Sequence, residues 1–462
     1  MNSANLSENQ TDFQSSYPSL TSLRTAHKEL LLRHNQAAFS AELASEIAKF
    51  MTKGASTGRV LDGEEDRWAA QGILDYWLSV LYSEEVEPPE ATLADFDITL
   101  APELRDEDLP YKGLAAFLEK DSKLFFGRSR LLERLLDQLK ENNLLAVVGS
   151  SGSGKSSVVR SGLIPSLKAN ALHDSRNWHY YKPMVPGSDP LLTMAKTLCP
   201  EDVDQEQWCS KQVQAFVRNS QHLVKLITNA NQQPAVLMID QFEEVFSLCG
   251  EKERQAFIAN LLRLIQLPDI KHRVIITMRS DFESNVAKFA QFQNIFEQSE
   301  IRVSGLNADE LREAIEKPGA EVGLKFEPGL VDKLIGDVIG QEAALPLLQF
   351  TLLKLWDKRE RNRVTHEAYK KLGGCNFALS NSADEFYKKL IPQDQVICKR
   401  IFLKMVRPTI EEYEIPNQST KDKSPGTIKN KIVGWEVTSN RIRINELYPT
   451  KVDRESTQKV LN

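Results

Sequence analysis

The sequence predicts an α/β fold, a parallel sheet covered by helices, with an all-α module in front of it and a helical segment behind. Three observations predict it. Short apolar runs alternate with amphipathic stretches across residues 110–300. One of those runs, LLAVV, feeds a loop of Gly and Ser that ends in a lysine. Ahead of both, DRWAAQGILDYWLSVLY carries an apolar stripe at helical spacing.

The chain of 462 residues has room for about three domains. Its 41% hydrophobic and 26% charged residues are those of an ordinary globular protein. A net charge of -6 excludes a global basic field for nucleic acid or an anionic membrane. Five scattered cysteines with no Cys-x-x-Cys pair indicate neither a zinc site nor a disulfide framework. A reducing, cytoplasmic setting fits them. The polar start MNSANLSENQ has no apolar core of a secretory signal. No apolar run approaches the ~20 residues that span a bilayer, so no membrane association is expected.

Taken in order, residues 1–20 read as a disordered leader of Ser, Asn and Gln. Residues 21–83 read as a helical module, with Trp68, Ile73, Trp77 and Leu81 forming its inner stripe. Residues 84–109 hold ten carboxylates against Arg105 and read as a solvated acidic linker. Residues 110–303 form the α/β core, with strands expected at 144–148, 178–185, 235–239 and 274–278. Residues 304–372 read as helical throughout, without strand candidates. In 373–462 the polar, Pro- and Gly-bearing stretch 416–430 reads as a loop, part of an insertion near 411–433, and order resumes at KIVGWEV.

Gly149-Ser150-Ser151-Gly152-Ser153-Gly154-Lys155-Ser156 fits G-x-x-x-x-G-K-[ST], a phosphate loop, at every fixed position. Phosphate oxygens must be met by converging backbone N–H groups, which needs side chains out of the way. Glycines 149, 152 and 154 permit that approach. The helix that follows aims its N-terminal donors and partial positive charge at the same point. Lys155 adds a full charge for the β- and γ-phosphates, and the Ser156 hydroxyl is a ligand for Mg²⁺. Ser153 and Ser157 complete the nucleotide-binding set.

AVLMID ends an apolar strand in Asp240, the carboxylate that holds Mg²⁺ in phosphate-loop enzymes. The strand is expected beside the loop strand. Gln241 stands where many ATPases place a catalytic Glu, and the acids come later, at Glu243 and Glu244. One of the two is expected to polarise the attacking water. VIITMRSDF ends a third strand in Arg279, placed to sense the γ-phosphate and to stabilise charge in transfer.

Together PYKGLAAF, FFGR, GSSGSGKSS, IDQFEE, TMRSDF and LPLLQFTLLKLW resemble the novel STAND branch of P-loop NTPases, signal-transduction ATPases with numerous domains. The resemblance covers about residues 110–410. It implies an AAA+-like core, a helical lid, and a winged-helix region of which WEVTSNRIRINELY is similar to a part. It further implies that Gly127 and Arg128 lie at the base and ribose, and that Pro346 of LPLL packs on adenine. Relatives of this kind are often bacterial and fused to β-propeller (WD40) or helical repeats. The winged-helix region here is expected to be interrupted and cut short, and sensor repeats to be supplied by another chain or lost by truncation.

The expected function is an ATP-binding, slowly hydrolysing signalling or defence switch. Mg²⁺ and ATP or ADP are its ligands. The ADP form is closed, and the ATP form opens and assembles with copies of itself and an unidentified protein partner. Two alternatives compete. One is a DNA-binding regulator using Arg441 and Arg443, although nine Lys/Arg against five Asp/Glu in 419–462 give only a modest basic balance. The other is a scaffold that binds nucleotide without hydrolysing it, against which intact Lys155, Asp240 and Arg279 argue.

Overall fold

The computed structural model describes residues 16–36, 39–230, 233–268, 272–341, 344–415 and 427–437. Most of the expected leader, and Arg441 and Arg443 with most of the expected winged-helix strand, lie outside them. The chain divides into two units, one up to Lys371 and one from Leu372.

Three helices open the first unit: α1 (Leu20–Gln36), α2 (Ala41–Ser56) and α3 (Glu64–Ser83). Ser40 caps α2 by accepting from the Leu43 N–H. Ala70, Leu74, Trp77 and Leu81 form the buried stripe of α3. Trp68 does not belong to it and is 79% exposed. Nine residues separate Trp68 from Trp77, roughly two and a half turns, so the two leave opposite faces. The acidic connector keeps most of its carboxylates at the surface, while its backbone is tied down. Gln71 holds Ala91 O and the Leu93 N–H, Arg67 holds Ala94 O, and Arg359 and Arg361 hold Leu104 O and Ala101 O.

The sheet follows α4 (Ser129–Glu141). Its strands are β1 (Leu144–Gly149), β2 (His179–Tyr180), β3 (Ala235–Ile239), β4 (Arg273–Arg279) and β5 (Glu300–Arg302). All pair in parallel, in the order β2-β3-β4-β1-β5. Leu144, Ala146 and Val148 enter one core and Leu145 and Val147 the other. Burial on both faces is why these strands read as unbroken apolar runs. Between β1 and β2 runs α5, made of Lys155–Ser157, a π-helical stretch Val158–Leu163, and Ile164–Lys168. Helices α6 (Pro190–Leu198), α7 (Gln205–Arg218) and α8 (His222–Ala230) precede β3. Helices α9 (Glu244–Ser247) and α10 (Glu251–Ile265) follow it, and α11 (Glu283–Val286) and α12 (Ala290–Ser299) lie between β4 and β5.

The strand order corrects one expectation. β3 is not beside β1; β4 lies between them, with Val148 level with Met278 and Ile239 level with Ile276. Asp240 therefore reaches the loop across the end of β4. β5 has no apolar run to announce it, being three residues at the sheet's edge.

Next come α13 (Ala308–Val322), β6 (Lys325–Phe326), α14 (Leu330–Val338), α15 (Ala344–Asp357), β7 (Arg363–Val364) and α16 (His366–Leu372). Asn307 and Glu310 close a capping box on α13. The expectation of helix alone fails at β6 and β7, a parallel pair of two residues each, too short for periodicity to register.

The second unit holds α17 (Cys375–Lys389), α18 (Pro392–Met405), β8 (Val406–Ile415) and β9 (Thr427–Val437). β8 and β9 pair antiparallel from Val406 opposite Val437 to Ile415 opposite Thr427. The expected inserted loop at 411–433 is thus partly strand. Its charges obscured the β-branched Ile415, Thr427, Ile428, Ile432 and Val433. No helix among the described residues is long and apolar enough to cross a membrane.

Candidate functional site

The C-terminal ends of β1, β3 and β4 converge on one cavity of about 340 Å³, where open parallel sheets bind ligands. The loop after β1 forms its floor. Gly152 and Gly154 take φ of 75° and 92°, the left-handed region that suits glycine. Lys155, 9% exposed, donates to Gly149 O at 3.0 Å and Ser150 O at 2.8 Å. Burial pulls its ammonium below the ordinary value, and the nearby Glu243 carboxylate opposes that.

Asp240, 3% exposed, is the hub. Its Oδ1 accepts from Ser156 Oγ at 2.7 Å and from Thr277 Oγ1, and Arg160 meets its Oδ2 at 2.7 Å. The next residue, Gln241, has φ of 56°, and its N–H donates to Thr277 Oγ1 at 3.1 Å. That left-handed step turns the chain so that Glu243 lines the cavity. Glu243 Oε2 accepts from the Arg279 N–H at 3.3 Å. Burial pushes its carboxyl above the usual range, against the pull of two backbone N–H groups, Lys155 and Arg279. Glu244 goes elsewhere: it is 5% exposed, and its Oε2 accepts from the Gly187 N–H at 2.9 Å. Arg279 lines the cavity with its guanidinium on Asp281, at 3.0 and 2.7 Å.

Apolar groups form the other wall: Leu114, Phe117, Phe125, Phe126, Leu306 and Pro346. Pro346, at the start of α15, sits on the loop itself. A Cβ built on Gly152 would lie 2.8 Å from Pro346 Cγ. The segment 111–117 is fastened by Tyr111 Oη donating to Ile315 O at 2.7 Å, the Lys112 N–H to Gln349 at 3.1 Å, and the Phe117 N–H to Ser157 Oγ at 3.2 Å.

Arg128 also lines the cavity, but its guanidinium is spent on backbone, donating to Ser304 O and Ser153 O at 2.9 Å each. Gly127, φ 82°, makes room for α13, since a Cβ there would meet Glu310 O at 2.3 Å. Ser153 Oγ is buried with no hydrogen-bond partner among the described residues. Of the expected residues, the fold brings together Arg128, Gly152, Gly154, Lys155, Ser156, Ser157, Glu243, Arg279 and Pro346 at the cavity, with Asp240 against Ser156. Gly127, Gly149, Ser153 and Glu244 do not line it. Thr277 and Arg160 were not expected; Arg160 falls four residues after Ser156 on α5, the one signal that pointed to it.

A Mg²⁺ ion fits this donor set. It favours hard oxygens and few protein ligands, and Ser156 Oγ and Asp240 Oδ1 supply two beside a backbone cradle for phosphate. With the second oxygen of Asp240 held by Arg160, the ion would keep most of its shell for water and phosphate.

Residues 110–434 match the family described as Novel STAND NTPase 1. No protein of curated function matches. Among solved structures, the chain is similar to the Aeropyrum pernix Orc1 protein in complex with DNA, at 15% identity over 62% of this chain and 75% of that one, TM-score 0.42. Drosophila ORC bound to DNA gives 16% identity over 72% and 80%, TM-score 0.40. The Walker-type ATPase of Pyrococcus abyssi gives 14% identity over 64% and 85%, TM-score 0.39.

Proposed function

Since the chain belongs to the Novel STAND NTPase 1 family, we propose that it is an ATP-binding, slowly hydrolysing switch, closed with ADP and opened by ATP into a self-assembling form. The observation that carries this reading is the seat of Pro346 on Gly152. It joins the helical segment 304–372 to the phosphate loop, so a phosphate arriving in the loop bears on the lid directly.

In this reading the N–H groups of 150–156 take the phosphates, and Lys155 exchanges its two loop carbonyls for phosphate oxygens. The apolar wall at Leu114, Phe117, Phe125, Phe126 and Pro346 receives the base. Ser156 and Asp240 hold Mg²⁺, which when bound neutralises charge on the phosphates. Glu243 orients and deprotonates the attacking water. Arg279 trades Asp281 for the γ-phosphate and stabilises the charge that moves in transfer. Asp281 and the Arg279–Glu243 contact then relax, and this change distinguishes ATP from ADP. The two nucleotides shift the population only by their difference in affinity for the closed and open forms.

Light scattering on purified protein in Mg-ADP and in a Mg-bound, non-hydrolysable ATP analogue tests this. The reading expects a monomer with ADP and a larger assembly with the analogue. The same mass in both would refute the switch.

A further inference from the structure

Asp240 is sequestered more completely than a metal ligand needs to be. Its Oδ1 takes two hydroxyls, Ser156 and Thr277, while its Oδ2 is held by Arg160 Nη2 at 2.7 Å. Arg160 is four residues beyond Ser156, so one face of α5 delivers a hydroxyl to one carboxylate oxygen and a cation to the other. The pair is enclosed, the side chains of Arg160 and Asp240 being 22% and 5% exposed. Arg160 Nε is buried with no hydrogen-bond partner among the described residues, so its strong contact is spent on Asp240. Around the loop the cations outnumber the carboxylates: Arg128, Lys155, Arg160 and Arg279 against Asp240, Glu243 and Asp281. A site with surplus positive charge gives a free divalent cation little to bind.

We propose that Arg160 is a positioning residue that neutralises Asp240 and leaves a single carboxylate oxygen for the cation, so that Mg²⁺ is admitted only together with the phosphates of a nucleotide. This rests on the nucleotide-site reading above. Its physical content is the enclosed pairing of Arg160 with the second oxygen of Asp240. With Arg160 removed, Asp240 is a buried carboxylate without its cation, and Mg²⁺ alone becomes its natural partner.

The test is thermal denaturation of the full chain, stripped of nucleotide, with MgCl₂ alone and with Mg-ADP, for wild type, Arg160→Gln and Arg160→Lys. Wild type is expected to gain stability with Mg-ADP and none with millimolar MgCl₂ alone. Arg160→Gln is expected to gain with MgCl₂ alone. Arg160→Lys keeps the charge and is expected to stay silent to MgCl₂. Arg160→Gln silent to MgCl₂ alone overturns the proposal. If Arg160→Gln does not fold, recovery in Arg160→Gln/Asp240→Asn, which removes both charges, supports the pairing, and failure of both variants overturns it. A wild type unmoved by Mg-ADP removes the nucleotide-site reading itself, a result distinct from a failure of Arg160→Gln.

Discussion

Pro346 stands on Gly152: a Cβ added to that glycine would come within 2.8 Å of the proline Cγ. The contact joins the phosphate loop to a residue 194 positions downstream, at the start of α15. Gly152→Ala is expected to weaken Mg-ADP binding. The alanine meets Pro346 and must also hold φ of 75°, worth about 1–2 kcal/mol for a residue with a Cβ. Pro346→Ala removes part of the obstacle. In a double-mutant cycle read by calorimetry, the two losses are expected to be less than additive, because they share one contact. Additive losses would mean that lid and loop are not coupled through this pair.

Glu243 and Glu244 are neighbours in sequence and differ in surroundings. Glu243 lines the cavity, and Glu244 accepts from the Gly187 N–H at 2.9 Å. Glu243→Gln is expected to lower ATP turnover by about 10²–10⁴-fold while leaving ADP bound. Glu244→Gln is expected to keep turnover within a few-fold and to lower the melting temperature. Single-turnover kinetics beside melting curves separate the two effects, and equal loss of turnover in both variants would sink the assignment.

The buried Glu243 carboxyl gives a pH signature. Its value in the folded chain is raised, chiefly by burial. The ionised form is thus disfavoured by folding, and stability from this group is present below the ordinary carboxylate value, ~4.3, and lost as pH rises through the folded value. Glu243→Gln is therefore expected to melt a few degrees higher than wild type at neutral pH, with the gap closing below the ordinary carboxylate range. Turnover in wild type is expected to fall on the acid side at a higher pH than a free glutamate would give. A gap that stays constant with pH would contradict the burial argument.

Tyr111, 1% exposed, donates to Ile315 O at 2.7 Å and fastens the cavity's apolar segment to α13. Tyr111→Phe removes this second bond to a carbonyl inside α13. A loss of about 0.5–1.5 kcal/mol is expected, read from chemical denaturation. A neutral result would mean that water replaces the hydroxyl.

The phosphate loop, Asp240 and Arg279 were legible because each lies where an unbroken apolar strand stops, and because the loop's glycines answer a backbone need that sequence states directly. The choice between Glu243 and Glu244 was not legible, since it turns on the left-handed step at Gln241. Thr277 acts on Asp240 because β4 is inserted between β1 and β3, a fact of strand order, and Arg160 reaches Asp240 from the helix after the loop, with only its place four residues beyond Ser156 to mark it. The wall from Leu114 to Phe117 is a loop with no period to read. Trp68 misled because it is large and apolar, yet half a turn out of phase with Trp77.

In the proposed switch, residues 149–156 hold a nucleotide that keeps the chain closed. The most direct measurement is to denature purified wild type and Lys155→Ala and identify the released nucleotide by chromatography. ADP from wild type and none from Lys155→Ala is the predicted result. A wild type that releases nothing, and that gains no thermal stability from added Mg-ATP or Mg-ADP, would contradict it.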